Sequence, residues 1–131
     1  MVKVMLITIV DVKHDQQRYE TVGDWQWRDK NKENLLITVS DMKNWKFNFL
    51  VAFHEQVEVM LCKARNIKQE DVDDFDMAYE ARRQEGDTSE PGDDPMAPYY
   101  NEHQFATKIE KMMAEELGVE WSEYDKTVSS I

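Results

Sequence analysis

The stretch from Trp45 to Cys62 restricts this chain more than any other: it is an apolar helical run with His54-Glu55-Gln56-Val57-Glu58 set in its middle. Trp45-Lys46-Phe47-Asn48-Phe49-Leu50-Val51-Ala52-Phe53 leads in, and Val59-Met60-Leu61-Cys62 leads out. On a wheel advancing about 100° per residue, His54 and Glu58 share a face with Phe47, Leu50, Val51 and Leu61. That face has to be buried, and a polar pair within a core-facing stripe is costly unless something satisfies it. An imidazole and a carboxylate four residues apart point the same way, as a chelating pair would. A divalent metal is the economical explanation. Without one, His54 and Glu58 form a hydrogen-bonded pair at the rim of the core.

The rest of the chain supplies partners for that helix. Met1 to Val10 is apolar but short, carries Lys3 and runs into Asp11 without a cleavage-like site. It reads as a strand over Val2–Val10, buried on both faces, rather than as a signal peptide. His14 to Glu20 is a polar connection. Trp25 and Trp27 alternate with Gln26 and Arg28 as a second strand; Asp29 to Asn34 turns, and Leu35–Val39 forms a third. Ser40 and Asp41 offer N-cap oxygens for the long helix, which should run to about Arg65 before Asn66-Ile67 breaks it. A second helix is expected from about Gln69 to Arg83, with Val72, Phe75 and Tyr79 on one face. Gln84 to Pro98 is an acidic loop with Gly86, Pro91, Gly92, Pro95 and Pro98, long for so small a domain. A third helix begins near Asn101, carries Phe105, Ile109, Met112, Met113 and Leu117, and ends at Gly118. Trp121 and Tyr124 anchor a short terminal segment. Strands first and helices after predict an α+β fold of about three strands and three main helices. It forms one domain over residues 1–131: mainly strands over 1–40, two helices over 41–84, the acidic loop over 85–98 and C-terminal helices over 99–131.

At 131 residues the chain suffices for one core. Its formal net charge of −11 repels phosphate backbones and anionic surfaces, so neither nucleic acid nor membrane is an expected partner. Trp25, Trp27 and Trp45 lack the basic groove that base stacking needs. No run approaches the roughly 18 apolar residues of a spanning helix, and the expected location is the cytoplasm. Cys62, the single cysteine, packs beside Leu61 as a small hydrophobe.

His54-Glu55-x-x-Glu58 resembles the His-Glu-x-x-His helix of zincin-type metallopeptidases, in which the helical pair binds zinc and the intervening Glu is the base. The uncharged neighbours that the longer zincin signature requires are also present: Val51-Ala52-Phe53 before, Gln56-Val57 within and Val59-Met60 after. Glu58 stands where that family has its second histidine. Zinc sites take three ligands from imidazole and carboxylate and leave a position for water, so a second histidine is needed from elsewhere. His103 opens the third helix directly after the loop and is the expected third ligand; His14 is less well framed. Glu102 is the rival, since on the third helix's wheel it lies nearer Phe105, Ile109 and Met113. The resemblance implies a zincin-like fold and a zinc hydrolase acting on a peptide or small amide. Glu55 would be the proton acceptor, Tyr99 or Tyr100 the donor to a developing oxyanion, and the acidic loop one wall of the cleft. The chain also resembles small proteins encoded in phage and prophage genomes, notably from Val39-Ser40-Asp41-Met42 through Cys62 and from Glu90-Pro91-Gly92-Asp93-Asp94 through Ala106. That resemblance carries the zincin-like expectation but no substrate.

Two alternatives remain open. Glu55-x-x-Glu58 followed by Asp73-x-x-Asp76 resembles the carboxylates with which all-α nucleoside triphosphate pyrophosphatases hold magnesium. Against it, those enzymes are entirely helical, and Asp73 replaces a Glu of their pattern. The third reading is a non-enzymatic acidic module, with the tract from Glu70 to Asp94 contacting a basic partner protein.

Overall fold

The computed structural model describes residues 2–131, and Met1 lies outside them. Three strands, β1 (Leu6–Val12), β2 (Gly23–Trp27) and β3 (Asn34–Ser40), precede four helices: α1 (Trp45–Ala64), α2 (Gln69–Ala81), α3 (Tyr100–Glu116) and α4 (Trp121–Ser130). The fold is α+β, with the terminal segment forming a helix of its own.

β3 is the central strand. It runs parallel to β1, from Leu6 opposite Asn34 to Val12 opposite Ser40, and antiparallel to β2, from Gly23 opposite Val39 to Trp27 opposite Leu35. Period-two alternation buries Leu35, Ile37 and Val39 completely. The β2–β3 hairpin is held at its turn by the Asp29 carboxylate, which accepts from the Glu33 and Asn34 amides at 3.1 and 2.9 Å. α1 crosses the inner face of β2 and β3 and packs along α3.

β1 differs from its expectation. It begins at Leu6 rather than Val2, and it is an edge strand whose Leu6, Ile9 and Val10 are exposed rather than buried on both faces. The reason is topological. β1 pairs through only one edge, and α1 covers β2 and β3 instead.

The helix ends follow local chemistry. Asn44, not Ser40 or Asp41, caps α1, its side-chain oxygen accepting from the Lys46 and Phe47 amides at 3.1 and 3.3 Å. Ser40 still belongs to β3, while Asp41 accepts from the Lys43 amide and the Asn48 side chain. Asn66 (φ 57°) ends α1, with the Ile67 amide reaching back to the Cys62 carbonyl at 2.9 Å. Gly118 (φ 70°) ends α3 in the same way, through Val119 to Ala114 at 2.9 Å. Both positions need the left-handed region, which Gly and Asn enter most readily.

The buried face of α3 is also not the one its large apolar residues suggest. Phe105 and Met112 are exposed, whereas Glu102, His103, Ala106, Glu110 and Ala114 are buried. Small Ala106 and Ala114 let α1 approach closely. His103 and Glu110, two turns apart, face the same way as those alanines and meet His54.

Candidate metal centre

α1 and α3 bring His54, Glu58 and His103 together. His54 Nε2 lies 3.1 Å from Glu58 Oε2 and 3.1 Å from His103 Nδ1, and His103 Nδ1 lies 3.0 Å from Glu58 Oε2. Three atoms at the corners of a near-equilateral triangle cannot all be joined by linear hydrogen bonds. They are spaced as ligands are: around a tetrahedral ion with bonds of about 2.0–2.1 Å, neighbouring ligand atoms stand about 3.3 Å apart. All three side chains are buried.

The outward atoms of the triad are supported. Glu110 Oε1 lies 2.7 Å from His54 Nδ1, and Tyr124 Oη donates to Glu110 Oε2. The carboxylate therefore favours a proton on Nδ1 and turns Nε2 to the centre, as the outer partner of a metal-bound histidine does. Trp25 Nε1 donates to Glu58 Oε1 at 3.1 Å, freeing Oε2 for the centre. The His103 ring is held by shape. Gly92, in the 3-10 turn Pro91–Asp93, lies so close that a Cβ there would be 2.4 Å from His103 Cγ and 2.5 Å from Nδ1. Tyr99 meets the same ring edge-on, with centroids 6.0 Å apart.

The electrostatics favour positive charge at this point. Burial alone would lower the His54 pKa, yet the hydrogen bonds and charges of Glu110 and Glu58 outweigh it and raise it to about 10. His103 is raised as well, burial again opposing and the Asp93, Glu58 and Glu90 carboxylates prevailing. Glu58 shows the reverse: burial pushes it up, but His103 and His54 hold it down at about 2.

Glu55 lines the same cleft, a cavity of about 270 Å³. Burial and the neighbouring Glu58 charge raise its pKa well above the usual carboxylate range. The chain passes it closely at Gly23, where a Cβ would come within 2.6 Å of Glu55 Oε1. Tyr99 also lines the cleft, but its hydroxyl donates to Asp76 Oδ1 at 2.5 Å. Tyr100 packs against the core, away from the cleft lining. Glu102 is buried, as its wheel position suggests, and accepts from Arg65 Nη1 at 2.7 Å instead of joining the triad. His14 is bound to Ser40 and Glu20, each at 2.8 Å.

Three other carboxylates of the cleft, Asp24, Asp73 and Asp76, meet directed donors. Asp73 takes both terminal nitrogens of Arg18 at 3.1 Å, and the same guanidinium grips Asp24 at 2.7 and 2.9 Å. Asp76 accepts from Tyr19 at 2.9 Å as well as from Tyr99, and burial raises its pKa to about 7.

Glu110, Tyr124, Gly92 and the Trp25 indole were not legible as site residues. The one signal was the spacing of His103 and Glu110, seven apart on one helix, which places two polar side chains on one face. Thr88 to Gly92, from the acidic Pro/Gly loop, do line the cleft. Searches against protein-family models, curated proteins and solved structures return no match to this chain.

Proposed function

We propose that this chain is a metal-dependent hydrolase of zincin-like type, with His54, Glu58 and His103 as ligands and a peptide or small amide as substrate. The observation that carries the reading is the triangle of inward-facing ligand atoms at 3.0–3.1 Å. Two imidazoles and one carboxylate suit zinc, and a three-ligand set leaves room for water. A divalent cation held there supplies Lewis acidity, activating water and polarising a carbonyl.

The chain's own residues do the rest. Glu110 fixes the tautomer of His54, and Trp25 orients Glu58. Glu55, beside His54 on α1 and raised in pKa by burial and by Glu58, is suited to take a proton from water and return it to a leaving amine. Tyr99 is tied to Asp76, so donation to an oxyanion requires that bond to open on substrate binding. The cleft wall from Thr88 to Gly92 limits access to the centre.

The magnesium reading, with Glu55, Glu58, Asp73 and Asp76, draws less support. Each oxygen of Asp73 already accepts from Arg18 and each oxygen of Asp76 from a tyrosine, so a shared ion would have to compete with these donors. A non-enzymatic acidic module does not account for the inward-facing triad.

The test combines elemental analysis of untagged protein with a peptide and amide hydrolysis screen on wild type and Glu55→Gln. Bound zinc in both proteins, with turnover only in the wild type, is the expected result. Turnover of nucleoside triphosphates with magnesium, and none of amides with zinc, would replace this reading with the pyrophosphatase one.

A further inference from the structure

The outward nitrogen of His103 has no role in the centre described above. Nε2 belongs to a side chain only 6% exposed by residue, yet it has no hydrogen-bond partner among the described residues. It is the single buried side-chain polar atom there in that position. Two carboxylate oxygens flank it, Glu90 Oε2 at 3.1 Å and Asp93 Oδ1 at 3.3 Å, neither aligned to accept a directed N–H bond. The ring cannot turn to meet one of them, since Gly92 lies against one side and Tyr99 stands edge-on to it. An unsatisfied buried nitrogen between two acids repeats the pattern of the inner triad.

We propose that His103 is a bridging ligand, its Nδ1 directed to the inner centre and its Nε2 to a second divalent-cation site completed by Glu90 and Asp93. The bridge rests on the inner metal reading; the outer set of one nitrogen and two oxygens stands on its own geometry. Glu90 and Asp93 are exposed and border a second cleft of about 410 Å³ that also holds Gln104 and Thr107. Water can therefore complete the coordination. One imidazole, two carboxylates and water suit a borderline ion such as zinc, manganese or cobalt. With both nitrogens coordinating, the ring loses every N–H proton to the buffer, one from neutral imidazole or two from imidazolium.

The bridge sets the ions about 6 Å apart, from a ring placed between two bonds of about 2.0–2.1 Å. That exceeds the roughly 3.5–4 Å of two-metal sites that clamp one oxygen between them. The outer ion does not share the substrate oxygen. Its effect is to fasten the Glu90–Asp93 turn over the cleft and to draw charge through the His103 ring.

The test is a titration of metal-stripped, untagged protein with zinc, followed by calorimetry in buffers of different ionisation enthalpy, and with Cu²⁺ followed by electron paramagnetic resonance. Two equivalents are expected, the first tight and the second weaker, with protons released at the second step. The copper signal should fall below that of two isolated ions as the second equivalent enters. Glu90→Gln/Asp93→Asn, at exposed positions that leave the core intact, should keep the first step within a few-fold and lose the second. One equivalent, unchanged in the double variant, would overturn the outer site and leave the inner centre standing. Two equivalents with uncoupled spins would overturn the bridge. No binding at all would remove the inner centre too, and with it the proposed hydrolase.

Discussion

Two polar clusters line the same cleft, and they are built on opposite plans. Around Asp24, Asp73 and Asp76, the carboxylates each meet directed donors, from Arg18, Tyr19 or Tyr99. Around His54, Glu58 and His103, the directed partners Glu110, Tyr124 and Trp25 lie on the outside. Inside, two ring nitrogens and a carboxylate oxygen converge on one point. The first cluster is complete as protein, because buried polar groups with their partners in place need nothing more. The second presents an arrangement that a cation would complete. Burial alone thus does not mark a ligand site; the direction in which satisfied groups leave their remaining lone pairs does.

The sharpest way to break the comparison is to substitute single residues in each cluster. Glu58→Gln and His54→Ala should each abolish tight zinc binding, measured calorimetrically. Asp76→Asn, which keeps the shape of its side chain, should leave zinc affinity within a few-fold. Equal losses from both clusters would erase the distinction. Next in size is the outer partner. Glu110→Gln should weaken zinc binding about 10–100-fold, the usual effect of losing such a carboxylate, while circular dichroism stays unchanged. Gly92→Ala drives a methyl into the His103 ring and should cost about 1–3 kcal/mol in denaturant unfolding, as overpacking does.

The smallest effects are in the pH dependence of the metal-free protein, where His54 and Asp76 lose their contributions as pH rises, over different ranges, and Glu58 loses its contribution as pH falls. His54, raised to about 10, contributes stability that is fully present below its ordinary value of 6.5 and lost as pH rises through 10. Glu58, lowered to about 2, contributes stability present above 4.5 and lost as pH falls through 2. Asp76, a carboxyl raised to about 7, contributes stability present below 3.8 and lost as pH rises through 7. Thermal unfolding across pH should show the last loss in wild type but not in Asp76→Asn. The His54 loss should persist in that variant and disappear when zinc is added. Zinc affinity should itself rise with pH, because the ion displaces protons that the site holds tightly.

Much of this was readable from the chain because it depends on local periodicity. Leu35, Ile37 and Val39 alternate as a half-buried strand does, and His54 and Glu58 fall on the buried face of α1 by spacing alone. The positions of β1 and of the buried α3 face were not readable. An apolar strand has the same composition at an edge as in the centre, and only the strand order decides which it becomes. On α3 the large side chains Phe105 and Met112 point outward, because Ala106 and Ala114 allow helix approach and because His103 and Glu110 find their charges matched on α1. Tertiary pairing decided that face, and hydrophobicity did not. Glu110 and Tyr124 support a residue more than fifty positions earlier, a link that no local pattern carries.

The central claim is that the inward triad holds a cation, and calorimetric titration of zinc into metal-stripped, untagged protein near neutral pH tests it most directly. The account predicts a tight first equivalent with proton release, absent from Glu58→Gln. It also predicts a gain of about 2.7 kcal/mol in stability at free zinc a hundredfold above the dissociation constant. A wild-type protein that takes up no zinc, gains no stability from it and folds as well with alanine at position 54 would contradict it.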